Sequence, residues 1–322
     1  MQYHTVDERW KFFGFNTYEE YLKGNVYVGK FHQLVPKEIV KSYKVIEYIM
    51  AHAYYYYPLY DEAILKTLMM METAIKTRCK QLSIPLSYSV QKSSGAKDKP
   101  KDYNRLINEC TAAEPLKNIK EDLHNLRSIR NYSAHKDTYS YSGAVGAPAI
   151  VRCINLINTL FLPEPTILSM KQKVKGIKQK FDELAGNVLV LNYQNKKYLL
   201  EKMMVKQSVN LASGWRCLLI GYPIILNIDE EIKTHKYSMP MVLEIDGLIV
   251  SDNDITGIEC NTSQPIAITK SEHPQDVSKY KDFIKAKKYN SITDLSIYDL
   301  FLNHEAAKSD AFFLYKNLCF CV

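Results

Sequence analysis

The sequence predicts a multidomain protein, an all-α helical bundle followed by a mixed α/β (α+β) domain. Three observations carry that expectation. The chain of 322 residues is longer than one hydrophobic core normally serves. Through its first half, apolar residues recur at steps of three and four, the period of a helix with one buried face. Beyond Gly186 they gather instead into short apolar or β-branched runs bounded by Asn, Gly and Asp, the pattern of strands. The expected units are a helical domain over 1–162, a connecting heptad helix over 163–186, and an α+β domain of unknown function over 187–322.

Taken in order, Ile39, Val40, Tyr43, Ile46 and Met50 mark a first long helix from Lys37 to about Tyr57. Asp61, after Pro58, is a candidate N-cap for a second, in which Ile64, Leu65, Leu68, Met71, Ile75, Cys79 and Leu82 form a stripe that stops before Pro85. Residues 87–102, rich in Ser, Lys, Gly and Pro with no period, read as a mobile basic loop. Leu116, Ile119, Leu123, Leu126 and Ile129 restore the helical period. After a Gly/Ser-rich break from Tyr141 to Pro148, a further apolar helix covers Ile150 to Phe161. Past Pro163 and Pro165, the residues Ile167, Met170, Val174, Ile177, Phe181 and Leu184 form an a/d seam that fits a helix paired with another helix. Lysines 171, 173, 175, 178 and 180 flank that seam as a solvated face.

Strands are expected at Val188–Leu191, Tyr198–Leu200, Arg216–Ile220 and Pro223–Ile228. Asp246-Gly247 reads as the turn of a hairpin over Leu243–Val250, because Asp-Gly supplies the positive φ angles a tight turn needs. Helical patches follow near Tyr280–Tyr289 and after Ser291, and the run AFFLYKNLCFCV closes the chain as a strand.

Ordinary globular composition, with 46% hydrophobic and 24% charged residues, excludes collagen-like, wholly disordered and disulfide-miniprotein classes. No apolar run reaches membrane-spanning length and the start lacks a signal-peptide core, so no membrane partner is expected and the cytoplasm is the expected compartment. Seven dispersed cysteines without C-x-x-C spacing read as reduced thiols rather than a zinc site. The net charge of +7 is uneven: residues 1–161 carry 22 Lys+Arg against 16 Asp+Glu, and residues 162–322 carry 20 against 19. A basic first half suits a polyanionic partner. No Walker or dinucleotide glycine loop is present, which argues against NTP-driven work and Rossmann cofactors.

The chemistry concentrates at Arg130-Asn131-Tyr132-Ser133-Ala134-His135. Arginine is a permanent, planar cation that grips phosphate and stabilises charge growing on its oxygens. Histidine, titrating near neutrality, takes a proton from an attacking hydroxyl or gives one to a leaving oxygen. Five positions along an ideal helix separate the two side chains by roughly 140°, so a helix end or kink near Asn131 and Ser133 is expected to bring them together. The plainer reading pairs Arg130 with a nearby carboxylate such as Asp137 and leaves His135 as a surface group.

The segment SIRNYSAHKD resembles the R-N-x-x-x-H form of the Arg-x4-6-His motif of the HEPN superfamily (higher eukaryote and prokaryote nucleotide-binding domains), particularly its Abi-like members of phage-defence and toxin systems. The resemblance covers roughly residues 35–162 and includes MMMETAIKTRCKQL, similar to the second helix of those proteins, with Glu72 and Lys76 one turn apart. It implies a HEPN-like helical bundle that forms a homodimer and cuts RNA as a metal-independent endoribonuclease with no cofactor, in abortive infection or as a toxin. By this resemblance Arg130 and His135 are catalytic, Asn131 positions the turn or the phosphate, and Glu72 is a supporting polar residue. A regulatory protein or phage-derived trigger is the expected controlling partner. Where some members carry a modified tyrosine two residues after the histidine, this chain has Asp137, so control is sought in the second half instead. The alternative is a non-catalytic HEPN-like module that binds RNA, a nucleotide or a protein.

Weaker constellations complete the reading. Asp252, Asp254 and Thr256 begin like a calcium loop, but Ser263 stands at the twelfth position where a bidentate Glu is needed. Glu244, Asp246, Asp252, Asp254 and Glu259 are a minor candidate for magnesium, more simply a solvated strand face. Tyr54 to Tyr57 read as packing groups before they read as stacking surfaces for bases.

Overall fold

Two compact units emerge in the computed structural model, one running to Ile167 and one from Leu168 to Asn317. It describes residues 5–92, 95–112, 114–134, 143–184, 188–224, 228–234, 238–251, 254–289 and 292–317. The first unit contains α1 (Arg9–Phe12), α2 (Tyr18–Asn25), α3 (Lys37–His52), α4 (Leu59–Gln81), strands β1 (Ser87–Lys92) and β2 (Gly95–Pro100), α5 (Tyr103–Cys110), a 3-10 turn at Leu116–Ile119, α6 (Lys120–Ala134) and α7 (Gly143–Phe161).

Helix α4 is the hub, since α3, α5, α6 and α7 all pack on it. Its buried set runs beyond the expected stripe to Ala63, Thr67, Met70 and Ala74. Small residues between large ones let neighbours approach from several sides at once. The helix starts at Leu59, so Asp61 lies in its first turn, where a carboxylate complements the helix dipole, rather than at the N-cap. Buried aromatics fill the space around α1 to α4. Trp10 donates Nε1–H to the Ala53 carbonyl at 2.7 Å, and the Tyr21, Tyr43 and Tyr60 hydroxyls donate to the carbonyls of Met50, Tyr27 and Asn25. Each large side chain is therefore buried with its polar atom satisfied. Tyr54 and Tyr57 are buried as well, which makes them packing groups, whereas Tyr56 is exposed.

The second unit contains α8 (Glu164–Glu183), β3 (Val188–Tyr193), β4 (Lys196–Leu211), β5 (Gly214–Pro223), α9 (Ile228–Thr234), β6 (Met241–Val250), β7 (Asp254–Glu259), β8 (Pro265–Ser271), α10 (Pro274–Tyr289) and α11 (Ile292–Asn317). Its strands close into an antiparallel barrel in the order β3-β4-β5-β6-β7-β8, with β8 pairing back on β3. Leu191, Leu200, Leu219, Leu243, Ile245, Ile255 and Ile268 fill the interior. A second apolar cluster joins Ile220 and Tyr222 of β5 to Phe283 of α10 and to Leu302 and Ala306 of α11.

The expected fold class is corrected at both ends. The first unit is not an all-α bundle, because β1 and β2 pair antiparallel from Ser87↔Pro100 to Lys92↔Gly95 where a loop was expected. Polar composition hid this strand pair, in which only Tyr88 and Val90 hint at alternation. The second unit is not a mixed α/β sheet but a closed, wholly antiparallel six-stranded barrel among the described residues. Register shifts at Leu200/Lys202 and Val205/Gln207 split β4, so its long strand reads in sequence as one short run.

Asp246-Gly247 is not a hairpin turn. Gly247, at φ +61°, sits in a bulge within the continuous strand β6. The same backbone freedom serves both features. A tight two-residue turn occurs instead at Gln194-Asn195, both at positive φ, between β3 and β4. Of the expected strand Pro223–Ile228, Pro223 is the last residue of β5 and Ile228 the first of α9, while 225–227 lie outside the described residues. The closing run is helical in its described part, 311–317 belonging to α11, while 318–322 lie outside the described residues. Finally, at the C-terminal end of the heptad seam of α8, Ile177, Phe181 and Leu184 enter the barrel core.

Candidate active site

The site is built on one side of the hub helix, where α5 and α6 meet α4. Amphipathic α6 buries Leu123 and Leu126, and this orients Arg127, Arg130 and Asn131 on the adjoining arc at three- and four-residue spacing. From α4, Glu72 holds Lys76 Nζ at 2.7 Å one turn along its own helix and Arg130 Nη2 at 3.1 Å across to α6. Arg130 Nη1 donates to Asn131 Oδ1 at 3.1 Å. Arg130 Nε makes no hydrogen bond among the described residues, and the side chain is 31% exposed. The guanidinium is therefore positioned on two sides while the side chain stays partly exposed.

The structure thus brings together Arg130, Asn131 and Glu72, three of the four residues singled out from the sequence. His135, the fourth, lies outside the described residues, as do Asp137 and Tyr139. Helix α6 continues through Asn131 and Ser133 to Ala134, so the expected helix end does not fall between Arg130 and Ala134. Among the described residues the carboxylate on Arg130 is Glu72, fifty-eight residues away.

Three more groups join the site that the sequence reading missed. Tyr103, at the first position of α5, is largely buried close to Glu72, Arg130 and Arg127, and burial pushes its hydroxyl well above the usual tyrosine range. Its hydroxyl stays protonated and uncharged. Arg127 Nε is buried with no hydrogen-bond partner among the described residues. His124 lies one turn before Arg127 with Nε2 at 3.3 Å from Asn108 Oδ1. Burial, and then the charges of Arg127 and Lys120, hold its imidazole below the ordinary value of 6.5. Lys120, His124 and Arg127 recur at helical spacing ahead of Arg130, the signal that could have extended the site. Tyr103 carried no such signal, because it borders a segment without a period.

With Glu72 counted against Arg127, Arg130 and Lys76, the charged side chains of the cluster sum to a positive excess. Such a site can hold an anion of tetrahedral or bidentate geometry.

The described carboxylates among those considered for metal are otherwise occupied. Asp246 receives both Arg216 Nε at 2.7 Å and Arg216 Nη2 at 2.6 Å, and Arg216 holds its carboxyl below the usual range. Glu244 binds Asn317 Nδ2 at 3.0 Å, and buried Glu259 accepts from Thr262 and Asn261. Asp254 accepts from Ser251, and Asp252 lies outside the described residues. No group of three or more His, Cys, Asp or Glu side chains placed to hold a metal occurs among the described residues. No described helix is long and apolar enough to cross a membrane.

Comparison of the chain with protein-family models, with curated proteins and with solved structures finds no match in any of the three.

Proposed function

We propose that this chain is a metal-independent endoribonuclease of the HEPN type, with Arg130 and His135 as its catalytic residues. The observation that carries the reading is the partly exposed guanidinium of Arg130, held by Glu72 and Asn131, five residues before a histidine in the sequence. In this mechanism His135 takes the proton of a ribose 2′-hydroxyl as it attacks the adjacent phosphate, and Arg130 stabilises the charge of the pentacovalent phosphorus. The 5′-oxygen leaves with a proton, giving a 2′,3′-cyclic phosphate and a 5′-hydroxyl. A lone Arg-His pair supplies one acid-base group, so a homodimer that presents a second histidine on the far side of the phosphate completes the reaction. Abortive infection or toxin action, under a regulatory protein or phage-derived trigger, is the biological setting of the proposal.

Substitutions separate the roles. Arg130→Lys keeps charge but loses the planar fork, and should lower the cleavage rate about 10²- to 10³-fold with RNA binding largely retained. His135→Gln should cost about 10²- to 10⁴-fold. Asn131→Ala and Glu72→Gln should cost less, since they position Arg130 rather than meet the phosphate. Cleavage by His135→Gln at the wild-type rate contradicts the assignment. The ion pair of Arg130 with Glu72 also favours a second reading, a non-catalytic module in which this pair is structural; binding of RNA without cleavage by the wild type selects it.

A further inference from the structure

The β1–β2 hairpin is a part of the first unit that contributes little to its core. The side chains of Ala96–Pro100 are all exposed, and a two-stranded ribbon buries too little to be stable alone. It is nevertheless fixed at its base. The Lys101 amide donates to the Leu86 carbonyl at 2.8 Å, Lys101 Nζ pairs with Glu109 of α5, and the Arg105 guanidinium lies 4.4 Å over the Tyr88 ring.

The register sorts what the ribbon displays. Tyr88 stands opposite Lys99, Val90 opposite Lys97, and Ser89 opposite Asp98. Because successive strand residues point to opposite faces, Tyr88, Val90, Lys97 and Lys99 share one face while Ser89 and Asp98 share the other. Asp98 accepts from Ser89 Oγ at 2.5 Å on that other face, and Lys97 and Lys99 have no carboxylate partner among the described residues. Two ammonium groups without a carboxylate partner among the described residues, roughly 7 Å apart along a strand, therefore lie on the face of Tyr88, Lys99 directly opposite it and Lys97 opposite Val90, with the Arg105 guanidinium over the ring. The hairpin also leads into the candidate site: Tyr103 follows Pro100 by three residues, a chain span of at most about 11 Å.

We propose that the Lys97/Lys99 face of this hairpin holds the phosphodiester backbone of single-stranded RNA beside the Arg130 site; the proposal rests on the ribonuclease reading of that site. Evenly spaced cations beside an aromatic suit a strand whose phosphates repeat regularly and whose bases stack. An acidic peptide shares only the charge.

The test uses the full-length Lys97→Ala/Lys99→Ala variant, whose changes are on exposed side chains, with thermal melting to confirm folding. The probe is a fluorescent single-stranded 2′-O-methyl RNA of about 12 nucleotides, which cannot undergo 2′-hydroxyl attack, with cleavage of unmodified RNA followed in parallel. Loss of two phosphate contacts lowers the slope of log affinity against log salt by about 1.4, so the wild-type advantage shrinks roughly 7-fold between about 50 and 200 mM salt. That result supports the proposal. Equal affinity and slope in a variant whose wild type binds and cleaves RNA overturn the hairpin assignment and leave the ribonuclease reading standing. A wild type that neither binds nor cleaves RNA overturns both. Binding of polyglutamate as tightly as RNA, weakened equally by the double substitution, overturns RNA as the occupant.

Discussion

At His32 the two ring nitrogens have fixed roles. Nε2–H donates to the Asn158 carbonyl at 2.9 Å and Nδ1 accepts from the Leu34 amide at 3.3 Å, while Asn158 Nδ2 donates to the Lys30 carbonyl at 2.8 Å. A second proton would remove the acceptor, and burial already holds the imidazole below 6.5. The unfolded chain therefore binds a proton that the folded one resists, so His32 and His124 contribute stability that is present above about pH 6.5 and is lost as pH falls below it. The carboxylates held low by cations, such as Asp7 beside Arg9 and Asp276 beside Lys197, act only at more acidic pH. Urea midpoints should therefore fall between about pH 7.5 and 5.5 in the wild type and fall less in His32→Gln. Parallel slopes would show that His32 is not the titrating group. The residue scale also shows what was legible in the site. Glu72 and Lys76 could be paired from their spacing, and Arg130 from its motif, whereas Tyr103 and Arg127 join through the packing of α5 and α6 on α4, which no local pattern encodes.

Among the elements, α8 has a sequence signature that was legible in kind but not in partner. Its apolar residues recur as in a coiled coil, and the apolar core of the barrel accepts the same stripe that a second helix would. Phe181 is 6% exposed in that core. Replacing it by Ala should lower stability by about 3 to 5 kcal/mol through lost burial and the cavity left behind. Denaturant unfolding of the full chain checks this; a loss below about 1 kcal/mol would place Phe181 outside the load of the barrel core. The strands show the converse. β3 and β5 were visible as buried runs, but β7 and β8 are short and half-polar, and β6 pairs with β7 around a bulge at Gly247 that reads in sequence as a turn. The helix expected after Ser291 is α11, and only its C-terminal end was misread, because Phe312, Phe313 and Tyr315 have high strand propensity, while Phe313 and Leu314 are buried by tertiary packing.

For the whole molecule, the division at Ile167 and Leu168 gives each unit its own core. Both apolar clusters of the second unit draw on residues 177–306 alone. A fragment spanning Glu164–Asn317 is therefore expected to fold with one cooperative thermal transition, and a fragment with no transition would contradict the independence of its core. The first unit carries the basic excess of the chain, the exposed lysines of its hairpin and the cluster around Arg130, so the chemistry is assigned to it. The central claim is metal-free cleavage of RNA by attack of its own 2′-hydroxyl, and mapping of product ends in the presence of EDTA tests it most directly. The account predicts fragments ending in 2′,3′-cyclic phosphate and 5′-hydroxyl, absent when the nucleotide 5′ of the cut is 2′-deoxy. Products bearing 5′-phosphate, or activity that disappears with EDTA and returns with magnesium, would contradict it.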